Sequence, residues 1–275
     1  VNADYEDIVV DVTDPVAVIT LNRPDRLNAF RTKTMHELRS AVEQVADDER
    51  VVGIVVTGVG RGFCVGLDSA DLAQAADPGT APRSSRERPE EAPALFSYLL
   101  DVPKPVIAAV NGMCAGGGFV LAMMCDLRFA ADTAVFNTVF SRRGLISEHG
   151  TSWLLPRIVG LSRALDLLWS SRSVSAEEAH RIGLADRLVE PDALVATASD
   201  YIRVLAQTTA PQSLKVIKRL TYGHLDLPWP EAAVEADAAM QASVADDDFR
   251  EGVASYLEKR PPRFRRVGSE RPAHD

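Results

Sequence analysis

Cysteine is scarce in this chain, with three thiols among 275 residues. Cys64, Cys114 and Cys125 stand in apolar surroundings without CxxC spacing, so neither a disulfide framework nor a zinc site is expected, and buried free thiols are. Long hydrophobic runs are missing too. No window approaches the roughly 18 consecutive apolar residues of a membrane span, which argues against a membrane protein. The run Val1-Asn-Ala-Asp-Tyr-Glu-Asp is acidic where a signal peptide is basic and then apolar, and this predicts a cytoplasmic protein. Positive charge is in deficit: 30 Lys and Arg face 39 Asp and Glu, a net charge of −9. General nucleic-acid binding is disfavoured, whereas a local basic patch for a phosphorylated small molecule is not.

What is present points to a folded α/β protein. At 46% hydrophobic composition the chain can bury a large core. Residues 16–21 form a β-branched run, residues 32–45 carry Met35, Leu38, Val42 and Val45 at helical spacing, and residues 51–57 read as a second strand. A turn at Gly58-Val-Gly-Arg-Gly and a short apolar piece at 63–66 follow. Residues 73–91 are rich in Ala, Pro, Ser, Arg and Glu without periodicity, the composition of a mobile surface loop. Residues 106–110 are a third strand, a helix runs from Gly118 to Met124, and 127–130 and 134–136 are short strands. Beyond them Ser162 is expected to cap a helix through Trp169, and Ser175-Ala-Glu-Glu178 matches a capping box. Residues 193–207, 211–220 and 230–245 carry helical periodicity. The expected division is an α/β core over 1–195, a helical region over 196–264 and a disordered tail over 265–275.

The run from Lys104 to Ala122 feeds an apolar strand through Gly116-Gly-Gly118 into a helix. Glycine permits close backbone approach, and the first helical turn leaves amide hydrogens without partners, so a polarised carbonyl oxygen can sit there. A plain packing turn would use the same residues. Four segments fall in a fixed order: Leu21-Asn-Arg-Pro-Asp-Arg-Leu-Asn-Ala29, Gly62-Phe-Cys-Val-Gly-Leu-Asp68, Lys104-Pro-Val-Ile-Ala-Ala-Val-Asn-Gly112 with Gly116–Gly118, and Tyr256-Leu-Glu-Lys-Arg260. Together they resemble the enoyl-CoA hydratase/isomerase, or crotonase, family over about residues 9–264. The resemblance implies a spiral of ββα turns with a helical C-terminal trimerisation region, assembly as a trimer or a dimer of trimers, and an acyl-CoA thioester as ligand, with no cofactor beyond coenzyme A itself.

It further implies that the backbone amides of Leu67 and Gly117 hold the thioester oxygen. Each such donor is worth roughly 3 to 4 kcal/mol when negative charge develops on that atom. Arg23, Arg26 and Ala29 fall where the family receives the CoA pyrophosphate and adenine, and Lys259 is placed to reach a phosphate; solvated surface is the competing reading for Arg26 and Lys259. The two hydratase glutamates of the family correspond here to Val120 and Phe140, neither of which can activate water or deliver a proton. Glu148, eight residues past the second position, is the replacement carboxylate, since relatives such as dienoyl-CoA isomerases hold an acid there. Its competing reading is a surface glutamate paired with Arg142, Arg143 or Arg157. Val120, Phe140 and Trp153 are expected to wall an acyl pocket, or else to be plain core. Asp68 is read as a turn cap, Asp71 as solvated surface and His149 as a structural or surface histidine. Isomerisation of an unsaturated acyl-CoA is the leading expectation. Hydration or hydrolysis through Glu148, and a non-catalytic acyl-CoA-binding protein, are the alternatives.

Overall fold

A computed structural model describes residues 5–75, 77 and 95–268. Two strands open the chain, β1 (Ile8–Thr13) and β2 (Val16–Leu21), followed by a 3-10 turn at Pro24–Arg26 and α1 (Thr32–Asp47). Three successive turns of chain then repeat one plan, a strand, a shorter strand and a helix. They are β3 (Gly53–Gly58), β4 (Gly62–Cys64) and α2 (Ser69–Ala75), with α3 (Tyr98–Asp101) after it; β5 (Val106–Val110), β6 (Met113–Ala115) and α4 (Gly117–Met124); and β7 (Leu127–Ala131), β8 (Val135–Asn137) and α5 (Thr151–Val159). The longer strand of each turn joins a six-stranded sheet and the shorter one a four-stranded sheet. After α6 (Leu161–Ser170), β9 (Val174–Ser175), α7 (Ala176–Arg181) and β10 (Arg187–Val189), the sheets are complete, in the orders β1-β2-β3-β5-β7-β10 and β4-β6-β8-β9. Pairing is parallel except at β1–β2 and β8–β9. Four helices close the chain: α8 (Leu194–Thr208), α9 (Pro211–Gly223), α10 (Trp229–Ala245) and α11 (Asp247–Glu258).

The period-two alternation of strands explains why β3 and β5 read as unbroken apolar runs. Ile54, Val56, Val106, Ala108 and Val110 enter one core with α1 and α4, while Val55, Ile107 and Ala109 enter a second core under Ala198 and Ile202 of α8. A strand buried on both faces has no reason to carry polar residues. Helix α4 is buried on every side from Gly118 to Met124, so it holds the triple-glycine turn rigidly against both sheets. The three cysteines are free and buried, as expected. Among the described residues no helix is long and apolar enough to cross a membrane.

Several local expectations need correction. Residues 73–75 belong to α2, and positions 78–91 of the expected loop lie outside the described residues. Ser162 sits inside the first turn of α6, whose N-cap is Gly160. Ser175 does cap α7, accepting from the Glu178 amide at 3.2 Å, but the reciprocal half of the box is absent because the Glu178 carboxylate pairs with Arg172. A charged guanidinium outcompetes a neutral amide for that carboxylate. Within the expected tail, Arg265 pairs with Asp246 and Arg266 with Asp14; residues 269–275 lie outside the description.

Lys104, at the entry to β5, is 2% exposed and donates to the carbonyl oxygens of Val45 at 3.1 Å and Asp48 at 2.7 Å. Burial pulls its pKa down to about 8. The unfolded chain, with an ordinary lysine near 10.4, therefore holds more protons than the folded one between those two values. Stability contributed by this residue rises as pH climbs from about 8 towards 10. Thermal unfolding of the Lys104→Met variant across this window is expected to lack that rise relative to the parent protein.

Candidate active site

The site begins where a loop strand meets the N-terminus of α4. Phe30 and Leu67 form an isolated parallel bridge, in which the Phe30 amide donates to Gly66 O and the Asp68 amide donates to Phe30 O, both at 2.8 Å. In a parallel bridge the central residue points its own amide away from the partner, so the Leu67 N–H has no acceptor among the described residues. Gly117 is the first residue of α4. The Gly116 amide donates to Asn137 O and Gly116 O receives the Val120 amide, leaving the Gly117 N–H outside the helical ladder. Leu67 and Gly117 are both half-buried, whereas Gly66, Gly116 and Gly118 around them are buried.

The two amides are held together by contacts only glycine allows. Gly66 has φ +90°, and a methyl there would come within 2.9 Å of the Gly117 nitrogen and 3.2 Å of Ala115 O. At Gly118 a methyl would stand 2.0 Å from Cys64 O, which makes glycine obligatory where α4 crosses β4. The Phe30 ring covers Gly117, its Cζ lying 2.3 Å from where a Cβ would be, and Phe96 stacks edge-on against Phe30 at 5.5 Å and 88°. Sequence reasoning missed both phenylalanines. Phe30 directly follows the Leu21–Ala29 run and could have been read as its continuation; nothing around Phe96 marks it.

Beside this pair, Asp68 accepts from the Ala70 amide at 3.2 Å and from Arg23 Nη2 at 2.9 Å. The Ala70 hydrogen bond and then the Arg23 guanidinium hold its carboxyl below the usual carboxylate range. Asp68 is thus a turn cap, as read from sequence. Arg23 also donates to Ala29 O and lies 3.8 Å from buried Asp7, which Arg31 and Thr34 bind in turn. With its nitrogens facing three protein oxygens, Arg23 is a clamp on the Leu21–Ala29 loop. Ala29 is buried and its carbonyl is occupied by that clamp. Arg26 is exposed and makes no ion pair among the described residues. Lys259 is exposed at the end of α11, with φ +54°, on a helix packed against α10.

The segment after β8 returns to the same place, because Val139 Cγ2 lies 3.2 Å from the Cβ position of Gly116. Val120 and Phe140 are 0% and 3% exposed and belong to the main core. Trp153 packs against that core half-buried, donates its indole N–H to Asp226 and lies under the Arg157 guanidinium. Glu148 precedes α5 and its carbonyl accepts from the Thr151 amide at 2.9 Å and the Thr151 hydroxyl at 2.7 Å. Its side chain is 31% exposed. It does not join the surface pairs considered for it. Arg157 pairs with Asp226 at 2.8 Å and Arg142 donates to Ser170 O. Among the described residues the Glu148 carboxylate faces His149, whose Nε2 is 4.0 Å away.

A cavity of about 830 Å³ lies between α8–α9 and α10–α11, and Leu67, Gly117 and Glu148 are not among its lining residues. Among the described residues no group of three or more His, Cys, Asp or Glu is arranged to hold a metal ion.

A spiral of ββα turns with two adjacent acceptor-free amides, one at a helix N-terminus, defines a crotonase-fold protein. The enoyl-CoA hydratase/isomerase family model matches residues 11–267, and the chain belongs to that family, which acts on acyl-CoA thioesters. It is 38% identical over 261 residues to the 1,2-epoxyphenylacetyl-CoA isomerase of Escherichia coli, covering 94% of this chain and 98% of that one. It is 37% identical over 265 residues to a probable enoyl-CoA hydratase of Rhodobacter capsulatus, with the same coverage of 94% and 98%. Among solved structures, an enoyl-CoA hydratase subunit I from Geobacillus kaustophilus superposes with a TM-score of 0.85 at 33% identity, over 97% of this chain and 100% of that one. The enoyl-CoA hydratase of Bacillus anthracis gives 0.83 at 26% identity, over 96% and 100%.

Proposed function

We propose that the protein moves a carbon–carbon double bond in an unsaturated acyl-CoA. The observation that carries this reading is the residue inventory: Val120 and Phe140 are buried apolar residues, and Glu148, on the segment that follows Val139, is the carboxylate left to move a proton. Double-bond migration needs one such group. Glu148 removes a proton from C2 of a 3-enoyl thioester, the charge moves onto the thioester oxygen between the Leu67 and Gly117 amides, and the same carboxyl returns the proton at C4. Each amide contributes about 3 to 4 kcal/mol to that enolate. The 1,2-epoxyphenylacetyl-CoA isomerase among the relatives supports isomerisation of an acyl-CoA as the reaction type. Arg26 and Lys259 are the cations assigned to the CoA phosphates, with Arg23 and Ala29 shaping the loop beneath them.

A second reading has Glu148 activate water. Its 31% exposure admits solvent, and the Rhodobacter relative is named as a hydratase. Incubation with matched 2-enoyl, 3-enoyl and 3,5-dienoyl thioesters separates the two, since migration leaves product mass unchanged and hydration adds one water. Binding without turnover of any member would favour a non-catalytic acyl-CoA carrier.

The quaternary reading is a homotrimer or a dimer of trimers. Trp229, Val234, Tyr256 and Leu257 on α10 and α11 are 81%, 72%, 81% and 71% exposed, apolar side chains that subunit contacts would cover. Light scattering on the eluting protein is expected to give three or six times the 29.8 kDa chain mass. A monomer at micromolar concentration would overturn this.

A further inference from the structure

We propose that His149 is the positioning residue of Glu148, holding its carboxylate by a ring N–H whose location is dictated by the backbone of Leu95. The inference rests on the assignment of Glu148 as the proton-transfer group and adds a residue to it. His149 adopts φ +50° and Gly150 φ +78°. A left-handed non-glycine residue costs on the order of 1 to 3 kcal/mol, so the conformation persists because its surroundings fix it. What it achieves is an imidazole that turns back over its own neighbour. Nδ1 lies 3.3 Å from the Leu95 amide nitrogen, 54 residues away in sequence, and Nε2 lies 4.0 Å from Glu148 Oε2.

An amide can only donate. Nδ1 is therefore the acceptor, and the proton of the neutral ring sits on Nε2, aimed at the carboxylate. At 4.0 Å the contact is open, and a small rotation of the half-exposed glutamate closes it, as catalytic hydrogen bonds tighten when substrate enters. Leu95 is no loose anchor. The next residue, Phe96, stacks on Phe30, whose ring covers Gly117. A continuous chain of contacts thus runs from the oxyanion amide through Phe30, Phe96, Leu95 and His149 to Glu148. Holding one carboxylate oxygen leaves the other directed at substrate and removes the rotamer freedom that a partly exposed glutamate otherwise keeps.

The decisive variant is His149→Asn. Asparagine tolerates the left-handed backbone and can accept the Leu95 amide through Oδ1, but it carries no donor at the Nε2 position. Turnover of a 3-enoyl thioester is expected to fall about tenfold or more, with KM changed less than about twofold and the melting temperature retained. In a Glu148→Gln background the same substitution is expected to have no further effect, as for two residues acting as one unit. A wild-type kcat for His149→Asn, with Glu148→Gln inactive, would overturn the role of His149 alone. A fully active Glu148→Gln would instead overturn the assignment of Glu148. Independently of any variant's folding, ¹⁵N spectra of histidine-labelled parent protein should show the His149 ring protonated at Nε2 and free at Nδ1; the opposite tautomer would overturn the proposal.

Discussion

Glu148→Gln is expected to lose about 10²- to 10⁴-fold in turnover of a 3-enoyl-CoA, with thioester affinity unchanged within about twofold. The substitution keeps volume and shape while removing the proton carrier. It should not disturb the fold, because the interactions that fix the segment are made by the Glu148 carbonyl, which accepts from the amide and hydroxyl of Thr151. The side chain is 31% exposed and pairs with no arginine among the described residues, so an amide replaces it without leaving a buried charge uncompensated. Steady-state kinetics beside calorimetric binding of a saturated acyl-CoA checks both halves. Parallel loss of binding and turnover would mean that Glu148 shapes the pocket and moves no proton.

The second large effect is expected at Gly66→Ala, with kcat reduced about 10²- to 10³-fold, the cost of displacing one oxyanion donor. Its φ of +90° disfavours any Cβ, and the added methyl would press on the Gly117 nitrogen at 2.9 Å, so both amides shift at once. Some loss of stability comes with it, on the order of 1 to 3 kcal/mol from the strained backbone. Gly60→Ala separates the two consequences. Gly60 also has a positive φ, +77°, but its Cβ would meet only Pro24 Cβ at 3.4 Å. The control should lose stability and keep turnover. Equal losses of turnover in the two variants would remove the catalytic reading of the paired amides.

The glycine turn, the buried strands and the paired loop motifs were legible because their chemistry is local. Gly116–Gly118 between strand and helix, and Gly66 before Leu67, announce close backbone approach without a third dimension. β3 and β5 announce themselves as strands by their unbroken apolar runs. Other features depend on partners far away in sequence. The clamp role of Arg23 was not legible because its acceptors, Asp7, Asp68 and Ala29 O, are supplied by three different segments. His149 looked like an incidental neighbour of Glu148 because the group that orients it, the Leu95 amide, is 54 residues away. Helix α5 was not among the expected helices; it contains Pro156 and lies between Gly150 and Gly160, residues that interrupt helical patterns. Helix α11 was masked by its run of three aspartates, Asp246 capping it and Asp247 and Asp248 filling its first turn.

The central claim is that one carboxylate moves a proton on a thioester held by the Leu67 and Gly117 amides. Proton NMR of a 3-enoyl-CoA incubated with the enzyme in deuterated water follows this most directly. The account predicts migration of the double bond to the 2-position with any solvent deuterium entering at C4, no 3-hydroxyacyl product, and neither event with Glu148→Gln. Isomerisation that persists in the variant, or a 3-hydroxyacyl thioester as the main product of the parent enzyme, would contradict it.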